Sequence, residues 1–188
     1  TIMSFGINKI IALLLIIFLL PVYIIVSLII LIDDGFPIFF NHKKYGKNNK
    51  VFSFYKFRTM KNGTPQLPTE EFNSNTQILK SGRFLRKYSL DEIPQFFNVL
   101  KGDMNFIGPR PGMTKNEEVL KKLRDEKKIY KIKPGITGLA QVSGRDINNY
   151  EEKVNLDYEY MINANFLLNA KIIFKTFYVV LMPKNIKH

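Results

Sequence analysis

Residues Ile10 to Ile32 carry no charged side chain, and that run limits what the chain can become more than any other feature. As a helix, these 23 residues would reach roughly 34 Å at about 1.5 Å per residue. That is enough to cross a hydrocarbon core of roughly 30 Å. A cleaved leader fits poorly, because the run is too long and no small-residue cleavage site precedes Asp33-Asp34-Gly35. Pro21 lies near the middle, removes a backbone donor and clashes with the preceding turn, so a kink is expected there. The physics of the segment favours a spanning helix kinked at the proline, tolerated where neighbours satisfy the freed carbonyl. The sharper alternative is a helix that enters, breaks at Leu20-Pro21 and returns to the same side. The basic flank after Asp34 belongs in the cytoplasm by the positive-inside rule, and only Lys9 argues for the other end.

Beyond residue 32 there are 27 basic and 16 acidic residues in a chain of 188. Such a surface suits anionic lipid, nucleic acid or phosphorylated substrate, and charge alone does not choose among them. The chain has no cysteine, which excludes disulfides, a thiolate zinc site and a cysteine nucleophile. Its two histidines, His42 and His188, are far apart, so a histidine metal site or a Ser-His-Asp triad has little support.

One domain is expected after the hydrophobic segment, without internal repeats. Gly35–Phe40 reads as a short extended apolar stretch, and Lys43–Lys50 as a polar turn. Val51–Met60 alternates apolar and polar residues and reads as a strand or hairpin arm. Asn62–Asn75 is a loop by composition. Ser89-Leu90-Asp91-Glu92 matches a capping box, opening a helix to about Lys101 with Leu90, Ile93, Phe96, Phe97 and Leu100 on its apolar face. Asp91, Gln95 and Asn98 fall on the opposite face, and Pro94 is early enough to be tolerated. Gly108–Gly112 is a stiff loop holding Arg110 between two prolines. A charged helix is expected over Lys115–Tyr130, with Val119, Leu120, Leu123 and Tyr130 inward. A strand is expected over Leu139–Val142, and helices over Tyr150–Met161 and Phe166–Leu181. The last is apolar enough to lie in a membrane interface or to pack on the core.

The adjacent carboxylates Asp91 and Glu92 stand among Arg83, Arg86, Lys87, Arg110 and Arg145. Carboxylates among arginines can bind a divalent cation and a phosphate together while one carboxylate attacks phosphorus, and the guanidinium fork matches phosphate oxygens in pairs. Each element also has a plain structural explanation. Glu92 could be only the capping partner of Ser89, Asp91 only a complement to the helix dipole, and Lys56 and Arg58 only the solvated face of a strand. A competing function is a membrane-tethered nucleic-acid module with Phe54, Tyr55 and Phe57 as stacking platform, though no nucleic-acid motif supports it. An inactive scaffold for glycan assembly is a third reading, disfavoured by the retained Lys56, Asp91, Glu92 and Arg110.

Several motifs occur together in order: Lys56-Phe57-Arg58-Thr59-Met60, Gly82-Arg83-Phe84-Leu85-Arg86-Lys87, Ser89-Leu90-Asp91-Glu92-Ile93-Pro94-Gln95, Asn98-Val99-Leu100-Lys101-Gly102-Asp103-Met104, Ile107-Gly108-Pro109-Arg110-Pro111, Pro134-Gly135-Ile136-Thr137-Gly138-Leu139-Ala140-Gln141-Val142 and Gly144-Arg145. In these the chain resembles the bacterial sugar transferase family, the monotopic phosphoglycosyl transferases, from the hydrophobic segment to near the C-terminus.

The resemblance implies an α+β protein: a re-entrant helix-break-helix over residues 1–34, broken at Pro21, and a mostly helical catalytic domain over 35–188 with short strands and interfacial amphipathic helices. This replaces the spanning helix as the expectation. The start Asn8-Lys9-Ile10 lacks the family's usual aspartate, and Leu20-Pro21 stands where Ser-Pro is common. The length is that expected of a minimal catalytic core.

The resemblance further implies a ping-pong reaction at the cytoplasmic face of the bacterial inner membrane. Asp91 attacks the sugar-linked phosphate of a UDP-sugar and UMP leaves. Undecaprenyl phosphate then takes the phosphosugar. Magnesium is the implied cofactor, held by Asp91 and Glu92. Lys56, Arg58, Arg86, Arg110, Gln141, Arg145 and Asp157 are the implied phosphate- and substrate-binding residues. Sugar selection is expected in residues 62–75 and 145–149. Membrane lipids and other glycan-assembly enzymes are the expected partners, and nucleic acid is not.

Overall fold

The computed structural model describes residues 5–64, 77–114, 117–144 and 149–181. Helix α1 (Phe5–Phe18) and helix α2 (Leu20–Asp34) meet at Leu19 with a bend of 60°. Pro21 lies in the first turn of α2, where its missing N–H is one of the donors a helix start leaves free anyway. The proline therefore opens a second helix instead of kinking the interior of one. Neither helix alone is long and apolar enough to cross a membrane, but the bent pair together is. Ile10, Leu14, Ile17, Phe18, Leu20, Ile24, Ile25, Leu28 and Ile32 are exposed along it.

Both helices also dock on the domain that follows. Ala12 of α1 is buried among Phe52, Phe54, Val99 and Met104, and the Asn8 Oδ1 accepts from the Phe106 amide at 3.5 Å. On α2, Tyr23 donates its hydroxyl to the Ile93 carbonyl at 2.9 Å, and Val26 and Ile30 join Phe57, Leu79 and Leu85 in one core cluster. At the end of α2, Asp33 accepts from the Ser81 amide and hydroxyl at 2.9 and 2.7 Å. Arg58 grips Asp34 at 2.6 Å and donates to the Asp34 and Gly35 carbonyls.

Strands β1 (Phe39–Tyr45) and β2 (Val51–Phe57) form an antiparallel hairpin. The turn takes Asn48 and Asn49 into the left-handed region, which asparagine tolerates. The expected polar turn over Lys43–Lys50 is thus only its second half, since β1 continues to Tyr45. Cross-strand pairing of Phe40 with Lys56, His42 with Phe54 and Lys44 with Phe52 puts these six side chains on one face.

Helix α3 (Lys80–Lys87) leads to a single 3-10 turn, Leu90–Glu92, and then to α4 (Gln95–Lys101). The continuous helix expected from Ser89 to Lys101 does not form. Ser89 is left-handed, with φ 54°, and makes no capping hydrogen bond. Pro94 does not ride inside the first turn of a longer helix; it caps α4 itself. A proline there cannot donate and would strike the carbonyl four residues back.

Burial in this segment is deepest on its polar side, while Leu90, Ile93, Phe96 and Leu100 are half-buried. Asp91, Gln95 and Asn98 are buried, while Phe97 is exposed beside Tyr23 of α2 at 5.7 Å between ring centres. Asn98 explains the burial of the polar side. It accepts from the Tyr55 amide at 3.1 Å and donates to the Ser53 carbonyl at 2.6 Å, so the polar face packs on β2 while the apolar face meets α1 and α2.

Strand β3 (Asn105–Ile107) pairs in parallel with β4 (Gly135–Thr137). A side chain on Gly135 or Gly138 would collide with the Gly108 backbone, so glycine is required where the two segments touch. The strand expected over Leu139–Val142 is instead a short helix, α6 (Leu139–Ser143), which starts once Gly138 ends the pairing. Helix α5 (Glu118–Glu126) starts later than expected, and Val119 in its first turn is 61% exposed instead of inward. Helix α7 (Tyr150–Asn163) and helix α8 (Phe166–Leu181) complete the described fold. Helix α8 buries Asn169 and Ile172 but exposes Phe166, Leu167, Phe174, Phe177, Tyr178 and Leu181.

Candidate active site

Three local structures bring charge to one place. Strand β2 presents Lys56 on the same face as Phe52 and Phe54. The 3-10 turn between Ser89 and Pro94 presents Asp91 and Glu92 side by side. The loop after β3 presents Arg110, whose flanking prolines limit φ on both sides, and whose base is pinned where Gly108 meets Gly135 and Gly138.

The Lys56 Nζ lies 2.7 Å from the Glu92 Oε1 and 3.3 Å from the Asp91 Oδ2. The Arg110 Nη2 donates to the same Glu92 Oε1 at 2.8 Å, and its Nη1 to Oε2 at 3.5 Å. Lys56 therefore bridges the carboxylates and Arg110 closes over Glu92 in a fork. Arg86, in the last turn of α3, donates from Nε to the Thr59 hydroxyl at 2.9 Å and is close enough to feel the charge of Asp91.

The two carboxylates are neighbours in sequence but opposite in electrostatic setting. Burial pushes the Asp91 carboxyl above its ordinary value, against the pull of Lys56. Glu92 meets a burial penalty too, but Arg110 and Lys56 outweigh it and hold it well below the ordinary glutamate range. The Glu92 charge in turn raises Arg110. Environments that separate two carboxylates in this way commonly assign them separate chemical tasks.

The match to a known family decides what this constellation belongs to. Residues 2–183 match the model of the family described as bacterial sugar transferase.

The chain belongs to the bacterial sugar transferase family.

It is 38% identical over 167 residues to the galactosyl transferase CpsE of Streptococcus agalactiae, covering 82% of this chain and 37% of that one. It is 38% identical over 165 residues to the undecaprenyl-phosphate galactose phosphotransferase of Salmonella typhimurium, covering 79% of this chain and 34% of that one. Against the exopolysaccharide production protein ExoY of Sinorhizobium fredii the identity is 33% over 201 residues, covering 95% of this chain and 88% of the relative. The chain thus spans about a third of the first two relatives and most of the third.

In this member of the family the structure gathers Lys56, Arg86, Asp91, Glu92 and Arg110, and it places other expected site residues elsewhere. Arg58 lies just past the end of β2 and is buried against Asp34 and Gly35, so it fastens the end of α2 to the domain. Asp157 is not a solvated surface charge. It is buried on α7 and pairs with Arg124 of α5 at 2.7 Å. Gln141 lies on α6, and both polar atoms of its side-chain amide are buried without a hydrogen-bond partner among the described residues. An unspent amide of this kind is what a ligand contact would satisfy. Arg145 lies outside the described residues, as does most of the segment 62–75 expected to select the sugar.

Neither Asn98, which holds the Asp91 turn against β2, nor Asp34, which draws Arg58 away from the site, was singled out by the sequence. In the sequence Asp34 only flanks an apolar run, and Asn98 is one polar residue on the side of a helix opposite its apolar face. Only a signal for buried polar side chains could have found them.

Magnesium is usually held by one or two carboxylates together with substrate phosphates and waters. Asp91 and Glu92 fit that donor set in kind and number. No cluster of three acidic or histidine side chains occurs among the described residues, so the pair suits a metal shared with a phosphate more than a cage built of protein alone.

Proposed function

We propose that this protein transfers a sugar-1-phosphate from a UDP-sugar to undecaprenyl phosphate, as the first membrane step of a bacterial glycan, with Asp91 as nucleophile. The observation that carries the reading is Asp91 itself: a buried carboxylate, next to Glu92, within a ring formed by Lys56, Arg86 and Arg110. The printed names of the Salmonella relative and of an Escherichia coli relative, a UDP-glucose:undecaprenyl-phosphate glucose-1-phosphate transferase 33% identical over 174 residues, support the substrate class.

In the first step an Asp91 oxygen attacks the phosphorus that carries the sugar. The bond from that phosphorus to the bridging oxygen breaks, and UMP leaves with the electron pair. In the second step a phosphate oxygen of undecaprenyl phosphate attacks the aspartyl phosphosugar, forming the diphosphate and returning Asp91 as carboxylate. Both steps conserve one phosphoryl linkage and need no oxidant or added base. Magnesium bound with the donor would offset the charge of the diphosphate. Lys56 bridges the two carboxylates and holds their spacing, while Glu92, clamped by Arg110, stays ionised and oriented. Packing of α4 on β2 through Asn98 fixes the turn that aims Asp91.

The same proposal places both ends of the α1–α2 pair on the cytoplasmic face. Asn8 near one end and Asp33 and Asp34 at the other hydrogen-bond to the same catalytic domain, which a straight crossing would not permit. Cysteines introduced at Ser4 and Asn41 should both resist an impermeant label in intact cells, and labelling of the Ser4 site from outside would refute re-entry.

The deciding experiment is intact-protein mass spectrometry after incubation with magnesium and a panel of UDP-sugars, without acceptor. A phosphosugar adduct on Asp91, with release of UMP, is expected. An adduct on Glu92, or one that persists in Asp91→Asn, sinks the assignment.

A further inference from the structure

The face of the hairpin that supplies Lys56 carries a second lysine with a different fate. Lys44 of β1 and Lys56 of β2 flank Phe54, their ammonium nitrogens 5.8 and 5.9 Å from the centre of the same ring. His42 lies on this face too, with its ring centre 5.2 Å from that of Phe54. Lys56 is spent on Asp91 and Glu92. Lys44 is only 9% exposed, yet among the described residues it makes neither an ion pair nor a side-chain hydrogen bond.

Its surroundings make the vacancy sharper. Arg110, Lys56 and Arg124 all act on Lys44 as like charges, and the Glu117 carboxylate opposes them. Glu117 uses its Oε2 to accept from the Met113 amide at 2.6 Å and lies beyond ion-pair distance of Lys44. Burial, followed by the Arg110 charge, brings the Lys44 ammonium down to about 7. A buried cation among cations is costly unless an anion completes it. The strand fixes its place: β1 bridges to Met113 at Lys44, and the Tyr45 amide donates to the Gly112 carbonyl at 3.0 Å. These contacts tie Lys44 to the same loop that carries Arg110.

We propose that Lys44 is a phosphate-binding cation of the donor site, which with Arg110 receives the phosphate of the departing uridine nucleotide; this rests on the reading of the protein as a UDP-sugar-dependent transferase. Catalysis gains where a cation meets charge that develops on a leaving oxygen. Phe54 serves as the rigid floor that keeps both lysines apart and above the sheet.

The test uses the full chain in detergent micelles and UMP as the probe. Lys44→Met keeps length and removes charge. It should weaken UMP binding measured by calorimetry at least about tenfold and raise KM for the UDP-sugar by a similar factor, while the melting temperature holds or rises. Lys44→Arg should recover most of the affinity, which a purely packing role would not predict.

An independent reading needs no variant. On the native protein, acetic anhydride labelling followed by peptide mass spectrometry should show Lys44 protected by saturating UMP, with the exposed Lys171 unchanged. UMP affinity in a folded Lys44→Met equal to that of the native chain, or unaltered Lys44 labelling with UMP bound, overturns the Lys44 assignment alone. Native protein that neither binds UMP nor releases it from any UDP-sugar overturns the donor reading and the assignment together.

Discussion

Two buried ionic sites in this molecule use the same residue types to opposite ends. Between α5 and α7, Arg124 and Asp157 form a closed pair at 2.7 Å, with side chains only 5% and 2% exposed. Around the 3-10 turn, Asp91 and Glu92 share Lys56, Arg110 pairs with Glu92, and the Arg110 side chain is 45% exposed. The first pair is sealed from solvent. The second has charges in unequal settings, an open rim and an unpaired lysine nearby. Burial raises the Asp157 carboxyl as it raises that of Asp91, so the difference lies in access: a sealed pair holds two helices together, whereas one with an exposed rim is open to a ligand.

Asparagine substitution at the two aspartates should separate these roles most strongly. Asp91→Asn removes the nucleophile and should lower UMP release by at least about a thousandfold, with the melting temperature kept or raised, because burial already disfavours the Asp91 charge. Asp157→Ala strands Arg124 as a buried charge and should cost about 3–5 kcal/mol of stability, with turnover per folded molecule little changed. Measuring both quantities on both variants tests the comparison. Loss of turnover per folded molecule in Asp157→Ala, or unfolding in Asp91→Asn, would erase it.

A smaller effect is expected at Arg110, whose charged hydrogen bonds to Glu92 are of a type worth roughly 1.5–3 kcal/mol. Arg110→Ala should lower kcat/KM at least about tenfold, and wild-type kinetics would remove it from the site.

The smallest effect is a shift in pH dependence. Asp91 must be ionised to attack, and burial raises its pKa, so activity should fall on acidification at a pH above that of an ordinary aspartate. Lys56 is the largest influence opposing that rise. The acid limb should therefore move to still higher pH in Lys56→Met, as read from kcat/KM profiles of the free enzyme. A limb that stays in place would show that Lys56 does not govern the ionisation of Asp91.

The chain itself announces the apolar run and its proline, the absence of cysteine chemistry and the ordered motifs around Asp91. Hydrophobic length, residue absence and local spacing are properties of the chain alone, and they were enough to indicate the family and the Asp91–Glu92 pair. The hairpin was half visible, because the alternation in β2 is regular whereas β1 mixes lysine and histidine with aromatics.

Tertiary structure decided the rest. Gln95 and Asn98 occupy the buried face of α4 because the backbone of β2 offers partners to Asn98, and no periodicity in α4 encodes what strand will lie beside it. Arg58 left the site for Asp34, and Asp157 left it for Arg124, because each found a carboxylate or guanidinium distant in sequence. Lys44 and Lys56 look alike in the chain, yet pairing across the hairpin and the fold of the Arg110 loop leave one satisfied and the other bare. The contacts of Arg58, Asp157 and Asn98 join segments 24 to 45 residues apart, and the free energy of a charge depends on the neighbours it finally meets.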